Sequence, residues 1–345
     1  PEHGVLSPVG RQQGGVEVRC PDARHGEEPA PEGAKIVVVG KRFSGAELDD
    51  LRAKSLAIQD LFPLVPGNYK FNLLLKNTVS KEFTSFEGAI DIPEPSGAPV
   101  ISALVLGYQL DRGASADRDF VPFKTATGQL ICQARKTFSQ KDNLYVFFQV
   151  FGLSPELRSQ GKINVTVLRK DAPFLTRSRA ISEYGSSANF LEEFALATFP
   201  PDYYNVKVSF VDGSGKELLV SDENFEVSLA ANLPRPLIVS KVMPASHIEE
   251  YDFILGLQML SLGRNEEASA SLEKAYRRNP GQVKYALGFC QVLFERNEFQ
   301  KVKDILTSFA TSEQGLDQVY YFLGKSCFGL GQYAEAGPYF RDYLA

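Results

Sequence analysis

Small and bulky apolar residues recur through residues 249–345 with a period of 34. Counting from Glu249, Val283 and Asp317, the eighth positions hold Gly256, Cys290 and Gly324, and the fifteenth hold Gly263, Asn297 and Gly331. The twentieth positions are Ala268, Val302 and Ala336; Leu272, Leu306 and Phe340 share a later one, as do Ala275, Phe309 and Tyr343. A register of this length predicts pairs of helices that cannot bury their apolar faces alone and must stack on one another. Small residues let the two helices of a pair approach, and the bulkier ones fill the space between pairs. Ser246, three residues before Glu249, has the spacing of a capping box and marks the expected start of the first helix.

Upstream the period changes to two. An internal match at an offset of 135 residues runs from Leu56 to Ile92, pairing Pro66 with Pro201, Tyr69 with Tyr204, and Phe71, Leu73 and Leu75 with Val206, Val208 and Phe210. Alternation after a Pro-bearing turn predicts a strand with one buried face, and a second alternating stretch in each copy makes the unit a hairpin. Tyr69 and Tyr204 fit the tyrosine corner of immunoglobulin-like sandwiches, with ligand stacking as the other reading. Further strands are expected at Val16–Val18, Ile36–Val39, Val100–Leu106, Leu144–Phe151 and Ile163–Leu168. The chain is therefore expected as two immunoglobulin-like β-sandwiches followed by an α-helical solenoid. Residues 34–94 form a partial sandwich, 99–230 a fuller one, 231–245 a Pro-rich link and 246–345 the three helical pairs. Residues 1–33, rich in Gly, Pro and charge, are expected to be mobile, and the start at Pro1 without Met reads as a fragment or processed product.

The helical pattern resembles the tetratricopeptide repeat. Leu255-Gly256, Gly263, Ala268, Leu272, Ala275 and Pro280 follow that motif in the first unit, and Leu323-Gly324, Gly331, Tyr333, Ala336 and Phe340 in the third; the middle unit departs at Cys290 and Val302. The resemblance implies a concave groove lined by positions two, five, nine and twelve of each first helix. These are Glu250, Phe253, Leu257 and Leu260, then Lys284, Leu287, Gln291 and Phe294, then Gln318, Tyr321, Lys325 and Phe328. Such a stripe suits a helix or extended peptide; alternatively its apolar members pack within the protein. Relatives that clamp a terminal carboxylate carry Lys and Asn where this chain has Phe253 and Leu257. Pro338 falls inside the last helix, where it removes a backbone hydrogen bond.

A second likeness rests on Leu64-Val65-Pro66-Gly67-Asn68-Tyr69, on Ile90-Asp91-Ile92-Pro93 and on Val100-Ile101-Ser102-Ala103-Leu104-Val105-Leu106, ahead of helical repeats. Together they resemble the C-terminal half of acidobacterial GWxTD-domain proteins, although the chain has no Trp. That resemblance implies a secreted or envelope-associated bacterial module.

Charge and chemistry narrow the function class. The net charge of −5 arises from interspersed signs, so the basic stripe wanted by nucleic acid is absent, and no apolar run is long enough to span a bilayer. Cys20, Cys132, Cys290 and Cys327 are too scattered for a disulfide framework. Cys20, Asp22, His25 and Glu27 match no zinc-ligand spacing. Gly-rich phosphate loops, nucleophile elbows and paired-His motifs are missing, Gly213-Ser214-Gly215 reads as a hairpin turn, and Glu192 and Glu193 point to opposite faces of a strand. The expectation is a non-enzymatic interaction scaffold without cofactor or metal. It would hold a protein or peptide through Glu250, Phe253, Leu257, Lys284, Gln291, Tyr321, Lys325 and Phe328. The rival is an accessory half of a secreted enzyme or adhesin in which a sandwich contacts carbohydrate.

Overall fold

Period-two and 34-residue patterning become strands and helix pairs in a computed structural model that describes residues 12–18, 35–41, 56–76, 83–94, 97–113, 119–240, 243–310 and 316–344. The cluster Cys20, Asp22, His25 and Glu27 and most of segment 1–33 lie outside the described residues. Along the chain run β1 (Gln12–Val18), β2 (Lys35–Lys41), β3 (Leu56–Gln59), β4 (Gly67–Lys76) and β5 (Phe83–Ile92). Next come β6 (Val100–Ile101), β7 (Val105–Asp111), β8 (Asp119–Phe120), β9 (Lys124–Thr125), β10 (Gly128–Cys132), β11 (Thr137–Ser139) and β12 (Asn143–Phe151). After α1 (Pro155–Gln160) follow β13 (Lys162–Arg169), β14 (Ala172–Ala180), β15 (Asn189–Ala195), β16 (Asp202–Val211), β17 (Glu217–Ser228) and β18 (Leu237–Ser240). The C-terminal helices are α2 (Glu249–Ser261), α3 (Asn265–Arg278), α4 (Val283–Glu295), α5 (Phe299–Leu306), α6 (Leu316–Gly329) and α7 (Tyr333–Leu344).

Contacts gather the chain into two units, Arg42–Leu61 with Glu94–Met243, and Gln12–Lys41 with Phe62–Pro93 and Pro244–Ala345. This division cuts across segment 34–94: β3 belongs to the first unit, and the β4–β5 hairpin to the second.

In the first unit one sheet runs β15-β12-β7-β10-β9, with β6 also paired to β12, and the other runs β11-β17-β16-β13-β14. Their facing sides share a core in which the Phe148 and Phe190 rings stack at 5.4 Å and both meet Phe210 edge-on. β12 is buried on both sides. Leu144, Val146 and Phe148 enter that core, while Tyr145 and Phe147 pack with Leu130 on the opposite side. The single strand expected over 100–106 is broken into β6 and β7. The Ser102 N–H donates to the Gln149 carbonyl, and the Ser102 hydroxyl, in place of its carbonyl, accepts from the Gln149 N–H.

The open side of the two sheets is closed by charge. Glu192 on edge strand β15 is 1% exposed and lies among Phe190 and Phe194, yet it is ionically paired with Arg177 and Arg179 of edge strand β14 and accepts from the Tyr184 hydroxyl. Glu193, its neighbour, points outward as the strand period requires. The segment 231–245, read as a link, is partly ordered on this unit. Leu237–Ser240 pairs in parallel with β3, and the Arg235 guanidinium pairs with Asp142 and covers the Tyr108 ring at 4.2 Å.

The duplicated hairpin keeps its register. β4 and β16 begin at Gly67 and Asp202 and end at Lys76 and Val211, each 135 residues apart. The Tyr69 and Tyr204 hydroxyls each donate at 2.6 Å to the carbonyl four residues back, Val65 and Pro200. This is the corner bond anticipated for both.

In the second unit each helix pair is joined by the same turn. Gly263, Asn297 and Gly331 adopt left-handed φ of 74°, 59° and 75°. The following N–H then reaches back to the carbonyl of Met259, Leu293 or Cys327 at 2.8–2.9 Å, while the turn residue itself bonds Leu260, Phe294 or Phe328. These are the two bonds of a Schellman cap, and Asn is the residue that tolerates the left-handed region best after Gly. The expected Ser246 cap is not formed. Residues Ala245–His247 make a 3-10 turn that leads Ile248 into helical φ and ψ, so no side chain caps α2.

Small residues act where predicted. A Cβ at Gly256 would lie 2.6 Å from Leu272, and one at Gly324 would lie 2.8 Å from Phe340, so the eighth position meets the same later position in units one and three. Helix α2 is apolar around much of its circumference and needs cover on more than one side. The hairpin segment supplies some of it: the Gln258 amide accepts from the Val65 N–H at 3.0 Å and donates to the Pro63 carbonyl at 2.9 Å.

Space around Gly331 is open, so Gly331→Ala carries only the conformational penalty. It is expected to lower unfolding stability by about 1 kcal/mol or somewhat more, whereas Asn297→Gly is expected to be neutral or stabilising. Urea midpoints of the two variants, compared with the parent chain, check both signs.

Candidate peptide groove of the helical repeats

First helices α2, α4 and α6 carry every side chain of the expected stripe. Positions one period apart touch: the Lys284 ammonium pairs with the Glu250 carboxylate, 34 residues earlier, and the Tyr285 hydroxyl donates to the same carboxylate at 2.8 Å. Phe253 meets Tyr285 edge-on at 5.2 Å, and its ring occupies the space beside Gly288, where a Cβ would come within 2.6 Å. The Lys284 ammonium also stands 4.9 Å above the Tyr285 ring. Here α2 and α4 are clipped together by one cation, one carboxylate and two rings.

A second cluster joins α4 to α6. The Lys325 ammonium lies 4.6 Å above the Phe294 ring and 4.9 Å above Tyr321, and donates to the Tyr321 hydroxyl at 3.1 Å. Phe294 is flanked by Phe299 and Phe322, and Tyr321 by Tyr343. Among the described residues Lys325 has no carboxylate partner, unlike Lys284. A half-buried cation over aromatic faces is held by about 0.5–2 kcal/mol.

The remaining expected residues divide. Leu287 is buried, and Leu257 and Leu260 are half-buried against the helical core, so they act in packing. Gln291 and Gln318 are exposed. Phe328 is 60% exposed and touches Tyr333 of α7 edge-on at 5.2 Å. Phe253 and Leu257 leave no Lys–Asn pair at the clamp positions.

Tyr285, Phe322 and Tyr343 belong to these clusters but are absent from the sequence-derived stripe, because that stripe follows only positions two, five, nine and twelve. A signal for Tyr285 was present. Glu250 and Lys284 are opposite charges at equivalent positions, which draws the residue beside Lys284 toward the same carboxylate. Burial and the bond to Glu250 raise the Tyr285 hydroxyl above the ordinary tyrosine range. Burial likewise pushes the Cys290 thiol to about 12, leaving it a small packing group at physiological pH. Cys132, Cys290 and Cys327 are free thiols, and among the described residues no three His, Cys, Asp or Glu side chains converge as a metal site. No described helix is long and apolar enough to cross a membrane.

The turn geometry, the small-residue contacts and the 34-residue meeting of Glu250 with Lys284 agree with a family comparison. Residues 317–345 match the tetratricopeptide repeat. The two preceding helix pairs share its period and turns. Three solved structures of MamA are also similar. MamA MSR-1 C2 is 21% identical over 28% of this chain and 55% of its own, with a TM-score of 0.27. The MamA RS-1 ArsTM double mutant is 17% identical over 28% and 54%, with 0.26, and a crystal structure of MamA protein is 21% identical over 29% and 54%, with 0.27. The chain thus spans about half the length of each. No curated protein matches it.

A raised tyrosine contributes stability that is fully present below its unfolded pKa of about 10 and is lost as pH climbs toward the folded value. Tyr285→Phe is expected to cost about 0.5–1.5 kcal/mol at pH 8, the worth of one hydrogen bond, and to flatten the loss of stability above about pH 10. Urea unfolding of both proteins at pH 8 and pH 11 reads the difference.

Proposed function

We propose that this chain is a non-enzymatic binding scaffold whose helical repeats hold a protein or peptide segment along the first-helix stripe. The observation that supports it is the alignment of α2, α4 and α6, in which residues one period apart meet. Along that line Lys284, Gln291, Gln318 and Phe328 are exposed and Lys325 is half-buried. Phe328 offers an aromatic anchor of a kind enriched at interfaces, and Lys325 a cation without a carboxylate partner among the described residues. In the same reading the sheet-bearing first unit is an immunoglobulin-like sandwich. Its two facing sheets and the corner bond of Tyr204 favour that type.

A display library of random peptides, selected on the purified chain, supplies ligands whose affinity is read by fluorescence polarisation. Lys325→Ala combined with Phe328→Ala is expected to weaken selected peptides about tenfold or more, as two interface anchors of about 1 kcal/mol each imply. Arg277→Ala, on a second helix, should leave affinity unchanged. Equal binding by the double variant and the parent would remove the groove from consideration.

A further inference from the structure

The outward side of the sheet β11-β17-β16-β13-β14 carries a built polar surface. Across β16 and β17 it sets Tyr203 opposite Glu226, Asn205 opposite Asn224, and Lys207 opposite Asp222. The Asn205 amide donates to Asp222 at 2.8 Å and to the Asn224 side-chain oxygen at 3.0 Å, which fixes three flat polar groups in one layer. Both Asn205 hydrogens are thereby used, while its own oxygen and the Asn224 amide hydrogens remain available. Tyr203 stands beside this layer and is 73% exposed, the most exposed ring among the described aromatic residues. Its alternate neighbour Tyr204 points inward, 3% exposed, and supplies the corner bond, so the strand period itself turns Tyr203 out. The β13–β14 turn, left-handed at Lys170 and Asp171, and the loop at Arg135 rim a shallow trough of about 690 Å³ that includes Tyr203, Asn205, Asn224 and Glu226.

Three features select the class of ligand. Three cations that line the trough, Arg135, Lys136 and Lys170, are balanced by three carboxylates, Asp171, Asp202 and Glu226, so no net field draws a polyanion. β16 is paired on both sides, with β13 and β17, and β11 covers β17 at Glu226–Ser228, so the backbone beside Tyr203 and Glu226 offers no edge to an added peptide strand. An exposed ring next to amide and carboxylate groups in one plane matches a sugar, whose C–H face lies on an aromatic ring while adjacent hydroxyls bond to planar acceptors and donors. We infer that this face binds a neutral oligosaccharide, with Tyr203 as the platform and Asn205, Asn224 and Glu226 as hydroxyl partners. An open trough, rather than an enclosed cavity, suits a segment of a longer glycan chain. This site is separate from the helical groove and stands or falls independently of it.

Affinity gel electrophoresis of the full chain in gels containing mixed-linkage β-glucan, xylan or galactomannan tests the assignment. At least one polysaccharide should retard the parent chain. Tyr203→Ala should lose about tenfold or more of that affinity, Asn224→Ala should weaken it as well, and Lys325→Ala with Phe328→Ala should keep it. Tyr203 is on the surface, and circular dichroism melts of the variants confirm that any loss is not unfolding. Absence of retardation in all three gels overturns the proposal, as does retardation that Tyr203→Ala leaves intact. Salt-sensitive retention on heparin alone would also overturn it, by making the ligand a polyanion.

Discussion

Close approach of paired helices is the constraint on which the C-terminal unit depends. Leu272 and Phe340 occupy the volume that a side chain at Gly256 or Gly324 would need, so any substituent there forces the pair apart. Overpacking of this kind costs about 1–3 kcal/mol, comparable with the net worth of several hydrogen bonds. With the pair held close by its left-handed turn, the bulkier residues can only be buried by the next pair. That requirement brings α2, α4 and α6 side by side, and the stripe of Phe253, Lys284, Phe294 and Lys325 is its consequence.

The middle unit shows how far the pattern bends. Cys290 replaces the glycine and is fully buried, and its partner helix α5 ends early at Leu306 and passes into the 3-10 turn Thr307–Phe309. Asn297 replaces the turn glycine and still holds the left-handed conformation. The turn therefore survives a change of residue type that the helix contact answers with a change in length. A parallel contrast exists between the two hairpin copies. Their corner bonds are identical because they are local, four residues long, while their surroundings differ: Tyr204 lies among Phe174, Phe199 and Phe225, and Tyr69 stands within 3.4 Å of the Gln258 side chain.

Magnitudes separate the charges that matter from those that decorate. Exposed pairs such as Arg277 with Glu273 contribute about 0.2–1 kcal/mol at most. Glu192 is different, because its carboxylate is fully buried between aromatic rings and would be stranded without Arg177, Arg179 and Tyr184; breaking such a pair costs about 3–5 kcal/mol. The two arginines keep their outer ends in solvent, so only one of the charges bears a full desolvation cost. The clasp joins edge strands β14 and β15, where apolar side chains alone would leave the sheets open to water.

Much of this architecture was legible in the residues. The 34-residue helix pairs, the close approach at Gly256 and Gly324, the hairpin offset and the corner bonds of Tyr69 and Tyr204 follow from short-range patterns, since backbone sterics and helix pitch act over a few residues. Part of the candidate groove was legible for the same reason, as Glu250, Lys284, Tyr321 and Lys325 recur at fixed positions. Tertiary structure alone decided that β3 pairs with β18, that Gln258 anchors the first hairpin, that Glu192 is buried while Glu193 is not free to be, and that Tyr285 shares the Glu250 carboxylate. Each of these joins residues far apart in the chain or on different faces, and periodicity carries no information about which distant surface will supply the missing partner.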